Sequence, residues 1–402
     1  MEDKNLNVAV VGGGIAGLSC AHDLQKQGFN VEVFEESQLV GGRAPRAVRA
    51  VSGNDENILR LSEELGIDDQ IEEMSLGELG TYKDGFLLKV KWLKPFFKPK
   101  EELSLGKKLM RKAMAWYSGI ELESVDRLHR EMEELSFDPF NRGEKNRELH
   151  EKTVQEWMNQ YGEGVQEYIL KPILQMTYDS DRQKMSADRG LYQIKKVFKM
   201  AEDGIYVLSG GPFVFSNTIR KELSRGSIKS SAKVTDVWEE ENSTGLRFES
   251  EGEEHEKEFD YTVVATPLHK SSEILREDFN IEYLKSEYVM TEGNLKKGLK
   301  MVLNGESSYN LRTIFAADEE HFAYPRKEGE EIDLNQVYKG QVEILGREEI
   351  MTMPKIEAGS QIPGTEFGDR IMLAGDFMYY PSFETAAQAG KKAASKIQGK
   401  EE

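Results

Sequence analysis

The first 35 residues contain the pattern that most restricts the fold of this chain. The apolar run Leu6 to Val11 leads into Gly12-Gly13-Gly14-Ile15-Ala16-Gly17, and helical periodicity follows from Leu18 to Gln27. Gly28 ends this helix, a second strand follows, and Glu35 stands at its carboxyl end. The order strand, glycine turn, helix, strand and acid predicts an α/β fold that opens with a Rossmann-like dinucleotide-binding domain.

The glycines and the acid have separate physical roles at a nucleotide. Gly12 permits a tight turn, Gly14 lets the backbone approach a pyrophosphate, and Gly17 lets the helix lie close to the sheet. The helix N-terminus, at Ile15 and Ala16, faces the anion with its free N–H groups. The acid can accept hydrogen bonds from ribose hydroxyls. This first motif leaves open which dinucleotide binds.

A second motif follows in the run Glu36-Ser37-Gln38-Leu39-Val40-Gly41-Gly42-Arg43. With it, the sequence resembles the flavin-containing amine oxidase superfamily, which includes phytoene desaturases and protoporphyrinogen oxidases. In that family Gly-Gly-Arg at this offset passes beside the FAD. The residue types suit that place, because glycines allow close backbone approach and a guanidinium compensates pyrophosphate charge. The resemblance implies FAD, held in a domain like that of glutathione reductase and GDP dissociation inhibitors.

The C-terminal region resembles the flavin motif found at the end of the same family. The run Arg370 to Asp376 is a predicted strand that ends in Gly-Asp, and Pro381 to Gly390 leads into a helix. The resemblance implies that Asp376 bonds the ribityl chain and that backbone N–H groups near Thr385 and Ala386 face the flavin pyrimidine edge. A helix N-terminus stabilises the negative charge that develops there.

Two middle segments also resemble the family, namely Gly210-Gly211-Pro212 before a helix, and Lys233 to Val237 before Tyr261 to Pro267. By this resemblance Val234 contacts the adenine through its backbone. Each predicted cofactor-binding residue belongs to one of these motifs. The predicted residues are Gly12, Gly14, Ile15, Ala16, Gly17, Glu35, Glu36, Gly42, Arg43, Val234, Ala265, Gly375, Asp376, Thr385 and Ala386.

The positions of the motifs predict two interleaved domains. The FAD-binding domain is assembled from residues 1–50, 200–272 and 362–402, and an α+β substrate domain from residues 51–199 and 273–361. Within the latter, the patterns predict a helix from Asn54 to Gly66, a hairpin of residues 79–82 and 86–93, and mainly helices over residues 101–200, with a capping box at Thr153. Short alternating runs in residues 282–349 favour an antiparallel sheet.

Composition excludes several functional classes. The formal net charge is −19, which repels nucleic-acid phosphates. Cys20 is the only cysteine, so no intramolecular disulfide is possible, and the six histidines have no metal-ligand spacing. We therefore expect no nucleic-acid partner and no metal. The charged N-terminus and the lack of a long apolar run predict a cytoplasmic protein.

A basic, aromatic stripe at residues 83–100 contrasts with this acidic composition. It holds six lysines and one acid, interleaved with Phe86, Trp92, Phe96 and Phe97. The stripe fits either a hairpin whose aromatic residues fill the core or a peripheral contact with an anionic membrane. The sequence leaves both open, as it does the oligomeric state.

The function predicted from the resemblance is that of a FAD-dependent oxidoreductase of desaturase, isomerase or oxidase type. Flavin N5 would accept a hydride from a small apolar substrate such as an isoprenoid, a carotenoid or a porphyrin. The alternatives are an amine oxidase, a non-catalytic lipid-handling protein of the GDP dissociation inhibitor type, and an NAD-dependent dehydrogenase. No catalytic residue is assigned, since Tyr379 and Tyr380 fit either the flavin face or packing. The segment from Ala44 to Val51 is shorter than is usual in the family.

Overall fold

The structure is a computed structural model of the 402-residue chain. It describes residues 6–43, 50–83, 85–138, 140–178, 183–209, 211, 213–224, 227–304, 308–317, 320–327 and 329–401. The strands in chain order are β1 Asn7–Val11, β2 Asn30–Glu35, β3 Ala50–Ser52, β4 Ile71–Met74, β5 Leu79–Lys83, β6 Phe86–Lys89, β7 Ile205–Leu208, β8 Ile228–Ser230, β9 Ala232–Glu239, β10 Thr244–Ser250, β11 Glu253–Phe259, β12 Tyr261–Val264, β13 Tyr283–Leu295, β14 Met301–Asn304, β15 Thr313–Ala317, β16 Glu320–Tyr324, β17 Tyr338–Pro354 and β18 Ile371–Leu373.

The helices in chain order are α1 Ile15–Lys26, α2 Glu56–Glu64, α3 Leu105–Ser118, α4 Leu122–Glu134, α5 Glu144–His150, α6 Val154–Met158, α7 Glu163–Val165, α8 Lys171–Tyr178, α9 Ala187–Asp203, α10 Phe213–Glu222, α11 Leu268–Leu275 and α12 Phe383–Glu401. Several short 3₁₀ segments connect them, and Val90–Phe96 is the longest of these. No helix in the described ranges is long and apolar enough to cross a membrane.

A five-stranded parallel sheet, in the order β18-β12-β1-β2-β8, forms the Rossmann-like part of the molecule. Strand β1 lies in its centre, because its apolar side chains must be covered on both faces. Helix α1 packs against α12 and α10. The antiparallel strands β9, β10 and β11 pack on β2, where the ring centre of Phe34 lies 4.9 Å from that of Phe248. The predicted fold class is confirmed.

A seven-stranded mixed sheet, in the order β17-β13-β16-β15-β14-β5-β6, forms the second large layer. Its pairs are antiparallel except β14 with β5. Helices α3 to α9 share a separate hydrophobic core with β5 and β14. Along the chain, segments of the parallel sheet alternate with segments of this second layer. The predicted domain boundaries stay a prediction.

Several local predictions are confirmed. The capping box is formed, because the Thr153 hydroxyl accepts from the Glu156 N–H and the Glu156 carboxylate accepts from the Thr153 N–H. The antiparallel strands predicted in residues 282–349 are present. Cys20 is fully buried in α1, and burial raises the pKa of its thiol. Gly210 and Pro212 lie outside the described residues.

One local prediction is wrong. The second strand of the hairpin ends at Lys89 instead of continuing to Leu93, and a 3₁₀ helix follows. Val90, Leu93 and Phe96 are buried, at a spacing of three residues that matches a 3₁₀ turn. Phe96 and the neighbouring Phe97 therefore fill the core, as one of the two interpretations of the basic stripe expected.

Candidate functional site

One cavity of about 720 Å³ extends from the parallel sheet to the mixed sheet. On one side it is lined by the β1–α1 turn and the ends of β2, β9 and β12, and we call this part the nucleotide groove. On the other side it is lined by α8, α9 and the mixed sheet, and we call this part the chamber. The volume lies in the range typical of cofactor and substrate pockets.

The β1–α1 turn brings backbone to the nucleotide groove. Gly12, Ile15 and Ala16 line the groove, and α1 begins at Ile15 without a side-chain cap. Its first N–H groups are therefore available to an anion. Gly17 lies behind the turn, where a Cβ atom would be 2.0 Å from the Gly12 carbonyl oxygen. Only glycine allows this close contact between helix and turn.

The Gly-Gly segment runs directly beside this turn. The Gly41 N–H donates to the Gly13 carbonyl oxygen at 2.8 Å. Gly42 has a φ of +60°, and a Cβ atom on it would lie 3.0 Å from the Cα atom of Gly14. Both Gly14 and Gly42 line the groove, so the two loops present their backbones to the same space.

Glu35 lies buried at the floor of the groove. Its Oε2 atom accepts from the Gly13 N–H at 2.7 Å, and its Oε1 atom accepts from the Ser37 N–H at 2.9 Å. These bonds fix the carboxylate, and each oxygen keeps acceptor capacity for a ribose hydroxyl. Glu36 also lines the groove but is exposed to solvent.

Arg43 and Asp376 form an ion pair in the cavity wall. The Arg43 Nη2 atom lies 2.6 Å from the Asp376 Oδ1 atom, and the guanidinium carbon lies 5.0 Å from the centre of the Tyr283 ring. Burial would lower the pKa of Arg43, but Asp376 and Tyr283 raise it above its ordinary value, so the guanidinium stays charged. Gly375 lines the cavity beside this pair.

Another part of the groove is formed by residues at strand ends from distant parts of the chain. Val234 of β9 and Ala265, which follows β12, both line it. The Ala265 N–H donates to the Val11 carbonyl oxygen at 2.8 Å, which continues the parallel ladder. The structure therefore brings the N-terminal and middle motifs to one groove.

The N-terminus of α12 also reaches the cavity, through Phe383 and Ala386. The Thr385 N–H donates to the Ser382 hydroxyl at 3.1 Å, and the Ala386 N–H donates to the Ser382 carbonyl oxygen at 3.0 Å. Among the described residues, the N–H groups of Phe383 and Glu384 have no acceptor. The donors open to a ligand thus directly precede Thr385, whose side chain is buried behind the wall.

The chamber is lined mainly by apolar side chains that come from separate elements. They include Leu79, Phe97, Met200, Met301, Phe315 and Met353. The chamber also holds a buried ion pair, in which the Lys196 Nζ atom lies 3.0 Å from the Asp55 Oδ1 atom. Arg312 lines it as well, hydrogen-bonded to the Ser286 hydroxyl.

Comparison with known proteins decides the family. The model of the flavin-containing amine oxidoreductase family matches residues 15–287. The chain belongs to this family. It is therefore a FAD-dependent oxidoreductase, and the NAD-dependent and non-catalytic alternatives are set aside. A search of curated protein sequences found no significant match.

Solved structures show the same fold in relatives of this flavin oxidoreductase. Putrescine oxidase bound to putrescine is 16% identical, with a TM-score of 0.71, over 98% of this chain and 99% of that one. A fatty acid isomerase from P. acnes that produces CLA is 12% identical, with a TM-score of 0.68, over 99% of each chain. A protein assigned as a protoporphyrinogen oxidase from Exiguobacterium sp. 255-15 is 14% identical, with a TM-score of 0.64, over 98% and 99%.

The groove of this flavin oxidoreductase fits FAD. Two helix N-termini with open N–H groups, a fixed carboxylate and a charged guanidinium lie along one cavity. They are suited in turn to a pyrophosphate, a ribose and further phosphate charge. Of the shortened segment from Ala44 to Val51, residues 44–49 lie outside the described residues, and Ala50 and Val51 belong to β3. The assignment of individual cofactor-binding residues stays a prediction.

The two tyrosines after the Gly-Asp motif occupy different places. Tyr379 is fully buried, and its hydroxyl accepts from the Asn146 side chain at 2.7 Å and donates to the Ser136 carbonyl at 3.0 Å. Tyr380 lines the cavity and stacks on Tyr192, with ring centres 4.9 Å apart. Tyr379 is thus a packing residue, and Tyr380 is the one that a ligand can reach.

One group of potential metal ligands occurs in the described part of the chain. Atoms of His22, Asp23 and Glu64 lie within 4.8 Å of one another. Two cations already pair with Glu64, because Lys26 lies 2.9 Å and Arg60 2.6 Å from its carboxylate oxygens. These ion pairs explain the cluster as a structural one, and we assign no metal to it.

Proposed function

We propose that this flavin oxidoreductase takes a hydride from carbon in an apolar substrate that binds in the chamber. The observation that carries the proposal is the chamber lining, which is dominated by aliphatic, aromatic and methionine side chains. Such a surface gains free energy when it excludes water from an apolar molecule. Bound FAD supplies the two-electron acceptor.

The residues of the chain position the substrate and exclude water from it. Phe315, Met301 and Met353 would contact the substrate, and the ring of Tyr380 would limit its movement towards the Gly-Asp motif. A C=C bond would form in the substrate if a hydride left one carbon for the bound flavin and a proton left the neighbouring carbon for water. Because holding the reacting atoms in line lowers the barrier, packing in the chamber is the main contribution of the protein.

The charges in the chamber favour a neutral or anionic substrate over an ammonium ion. The chamber residues that the structure describes include one acid, Asp55, and it is already paired with Lys196. Arg312 is the other cation among these described residues of the chamber lining, and its guanidinium donates to the Ser286 hydroxyl. A cationic amine would meet repulsion there, whereas a carboxylate on an otherwise apolar molecule would be attracted. Porphyrins and fatty acids have that character.

The amine oxidase alternative has one supporting observation. The rings of Phe315, Tyr324 and Tyr380 line the chamber, and an aromatic face can attract a cation. This attraction amounts to about 0.5–2 kcal/mol, which has to overcome the repulsion from Arg312. We therefore place amines second.

The test is anaerobic reduction of the FAD-loaded protein, which is measured as the loss of visible flavin absorbance. Protoporphyrinogen, phytoene and an unsaturated fatty acid would be compared with putrescine and benzylamine. We expect an apolar, non-amine compound to bleach the flavin, and bleaching by amines alone would overturn the proposal.

A matched pair of variants locates the site. Met353→Gln changes the chamber, and Met290→Gln changes a half-buried methionine in β13 that does not line the cavity. We expect KM for the apolar substrate to rise about tenfold in the first variant only, because one apolar contact of about 1–2 kcal/mol is lost. Equal effects in both variants would show that the substrate does not bind in the chamber.

A further inference from the structure

Helix α3 presents large apolar side chains to solvent. Trp116 and Tyr117 are each 87% exposed, and Leu105, Leu109 and Met110 are exposed as well. Half of the large hydrophobic side chains that are exposed in the described ranges lie on this one helix. Single exposed apolar residues are common, but a contiguous group on one element marks an interaction surface.

Three of these apolar residues form one stripe that points away from the body of the protein. Leu105, Leu109 and Trp116 are separated by four and seven residues, which places them on the same side of a helix. Arg111 lies on the opposite side and is buried, with its guanidinium 2.7 Å from Asp126 of α4. The helix is thus anchored through one face and leaves the other uncovered.

The charge around this stripe is opposite to that of the whole protein. Lys107, Lys108 and Lys112 are exposed, α3 contains no acid, and none of the three lysines has an ion-pair partner in the part of the chain that the structure describes. From Phe86 to Ser118 the sequence holds nine lysines and arginines against two acids, although the net charge of the chain is −19. Cations are therefore concentrated where the apolar side chains are exposed.

We propose that α3 docks the protein on the surface of an anionic lipid bilayer. The stripe of Leu105, Leu109 and Trp116 would enter the boundary between headgroups and acyl chains, and Lys108 and Lys112, which flank the stripe, would meet lipid phosphates. Exposed tryptophan and tyrosine suit this boundary because each has an apolar ring and a polar tip. The local positive charge offsets the repulsion that an acidic protein experiences at an anionic surface.

Two observations favour a bilayer over a second copy of the chain. A two-fold dimer through α3 would place the lysines of one copy against those of the other, which is unfavourable. The helix also packs against the 3₁₀ segment Val90–Phe96, whose first residue lines the chamber. Docking through α3 would hold the chamber close to the lipid phase, where apolar molecules concentrate. The inference does not depend on the chemistry of the flavin.

The test is co-sedimentation of the full-length, FAD-loaded protein with vesicles. One set contains equal parts phosphatidylcholine and phosphatidylglycerol, and the other contains phosphatidylcholine alone. We expect binding to the anionic vesicles only, weakening as salt is added, with a blue shift of tryptophan emission that is absent in Trp116→Phe. Lys108→Gln and Lys112→Gln should each weaken binding roughly fivefold.

Leu109→Glu should reduce binding at least tenfold, whereas Ile344→Glu, at an exposed isoleucine of β17, should bind like the unchanged protein. Both sites are on the surface, so the flavin spectrum and substrate reduction in solution should be unaffected. The proposal is overturned if anionic vesicles do not bind the protein or if both variants lose binding equally. It is also overturned if the protein sediments as a dimer that Leu109→Glu dissociates.

Discussion

The carboxylate of Glu35 is held by backbone N–H groups and faces the groove. Glu35→Gln keeps the shape but removes the charge, so hydrogen bonds to ribose hydroxyls become weaker. We expect the Kd for FAD to rise about 5- to 30-fold, equivalent to about 1–2 kcal/mol, in a titration followed by flavin fluorescence. Glu32→Gln is the control, because Glu32 lies on the same strand but pairs with Lys257 instead of lining the groove. Equal losses in both variants would contradict this role for Glu35.

His129 provides a residue-level link between pH and stability. It is buried against Phe198, its Nε2 atom donates to the Phe96 carbonyl oxygen at 2.9 Å, and burial lowers the pKa of the ring below its ordinary value of 6.5. Because the unfolded chain then takes up a proton more readily, this part of the stability is complete above pH 6.5 and is lost as the pH falls below it.

The free energy of unfolding should therefore decrease below pH 6.5, and His129→Gln should flatten part of this decrease. Denaturant unfolding at several pH values measures the slope. His255→Gln is the control, because His255 is exposed on β11 and should leave the slope unchanged. An unchanged slope in His129→Gln would show that other groups govern the acid response.

The sequence could predict the roles of residues that act within a local motif, but not the contacts between residues that are far apart in the chain. The motifs place Gly12, Glu35 and Arg43 at the groove, because each acts within a few residues of a strand end. The ion pair of Arg43 with Asp376 joins residues that are 333 positions apart, and no local pattern encodes it. At the start of α12 the Ser382 hydroxyl accepts from the Thr385 N–H, and this cap, which no motif specifies, decides which backbone donors remain open.

Helices α1 and α12 meet at Gly390, and this contact positions both helix N-termini at the cavity. A Cβ atom on Gly390 would lie 2.2 Å from the Ala16 carbonyl oxygen and 2.9 Å from the Cys20 nitrogen. Gly390→Ala should destabilise the protein by about 1–3 kcal/mol and weaken FAD binding, because the helices must separate. Thermal unfolding and FAD titration measure the two effects.

Gly399→Ala is the matched change on the same helix, because nothing lies within 4 Å of the added Cβ atom. It should be neutral or stabilising by up to about 1 kcal/mol, since alanine favours a helix over glycine. Similar destabilisation in both variants would show that the contact at Gly390 is not the constraint we describe.

Elements with a strong local pattern were predicted correctly, and those with an ambiguous pattern were not. The alternation of apolar residues after Phe86 fits a strand, but Val90, Leu93 and Phe96 also fit a period of three, and the core selected the second arrangement. Helix α3 carries its apolar stripe on the solvent side. Periodicity predicts that such a helix is amphipathic but does not state which face is covered.

The chamber could not be predicted, because its walls come from α8, α9 and several strands of the mixed sheet. These elements share no motif, and only the complete packing of the two layers brings them together. The sequence therefore predicted the cofactor and the chemical class, and an apolar substrate only through the resemblance, whereas the chamber argument for our proposal of an apolar, non-amine substrate depends on the assembled cavity. Lys196 and Arg312 carry no local signal that would single them out.

The groove joins the parallel sheet to the chamber, so FAD should stabilise the whole molecule. A ligand that binds only the folded state at a hundred times its Kd adds about 2.7 kcal/mol. For a chain of this length this corresponds to a rise in Tm of about 3 °C. We expect one unfolding transition with FAD present, because residues from both ends and the middle of the chain line the groove. Glu35→Gln should show a smaller rise at the same FAD concentration, whereas Glu32→Gln should show the full rise. If FAD raised the Tm of one transition and left a second unchanged, the chamber layer would unfold independently, and the groove would not couple the two parts of the molecule.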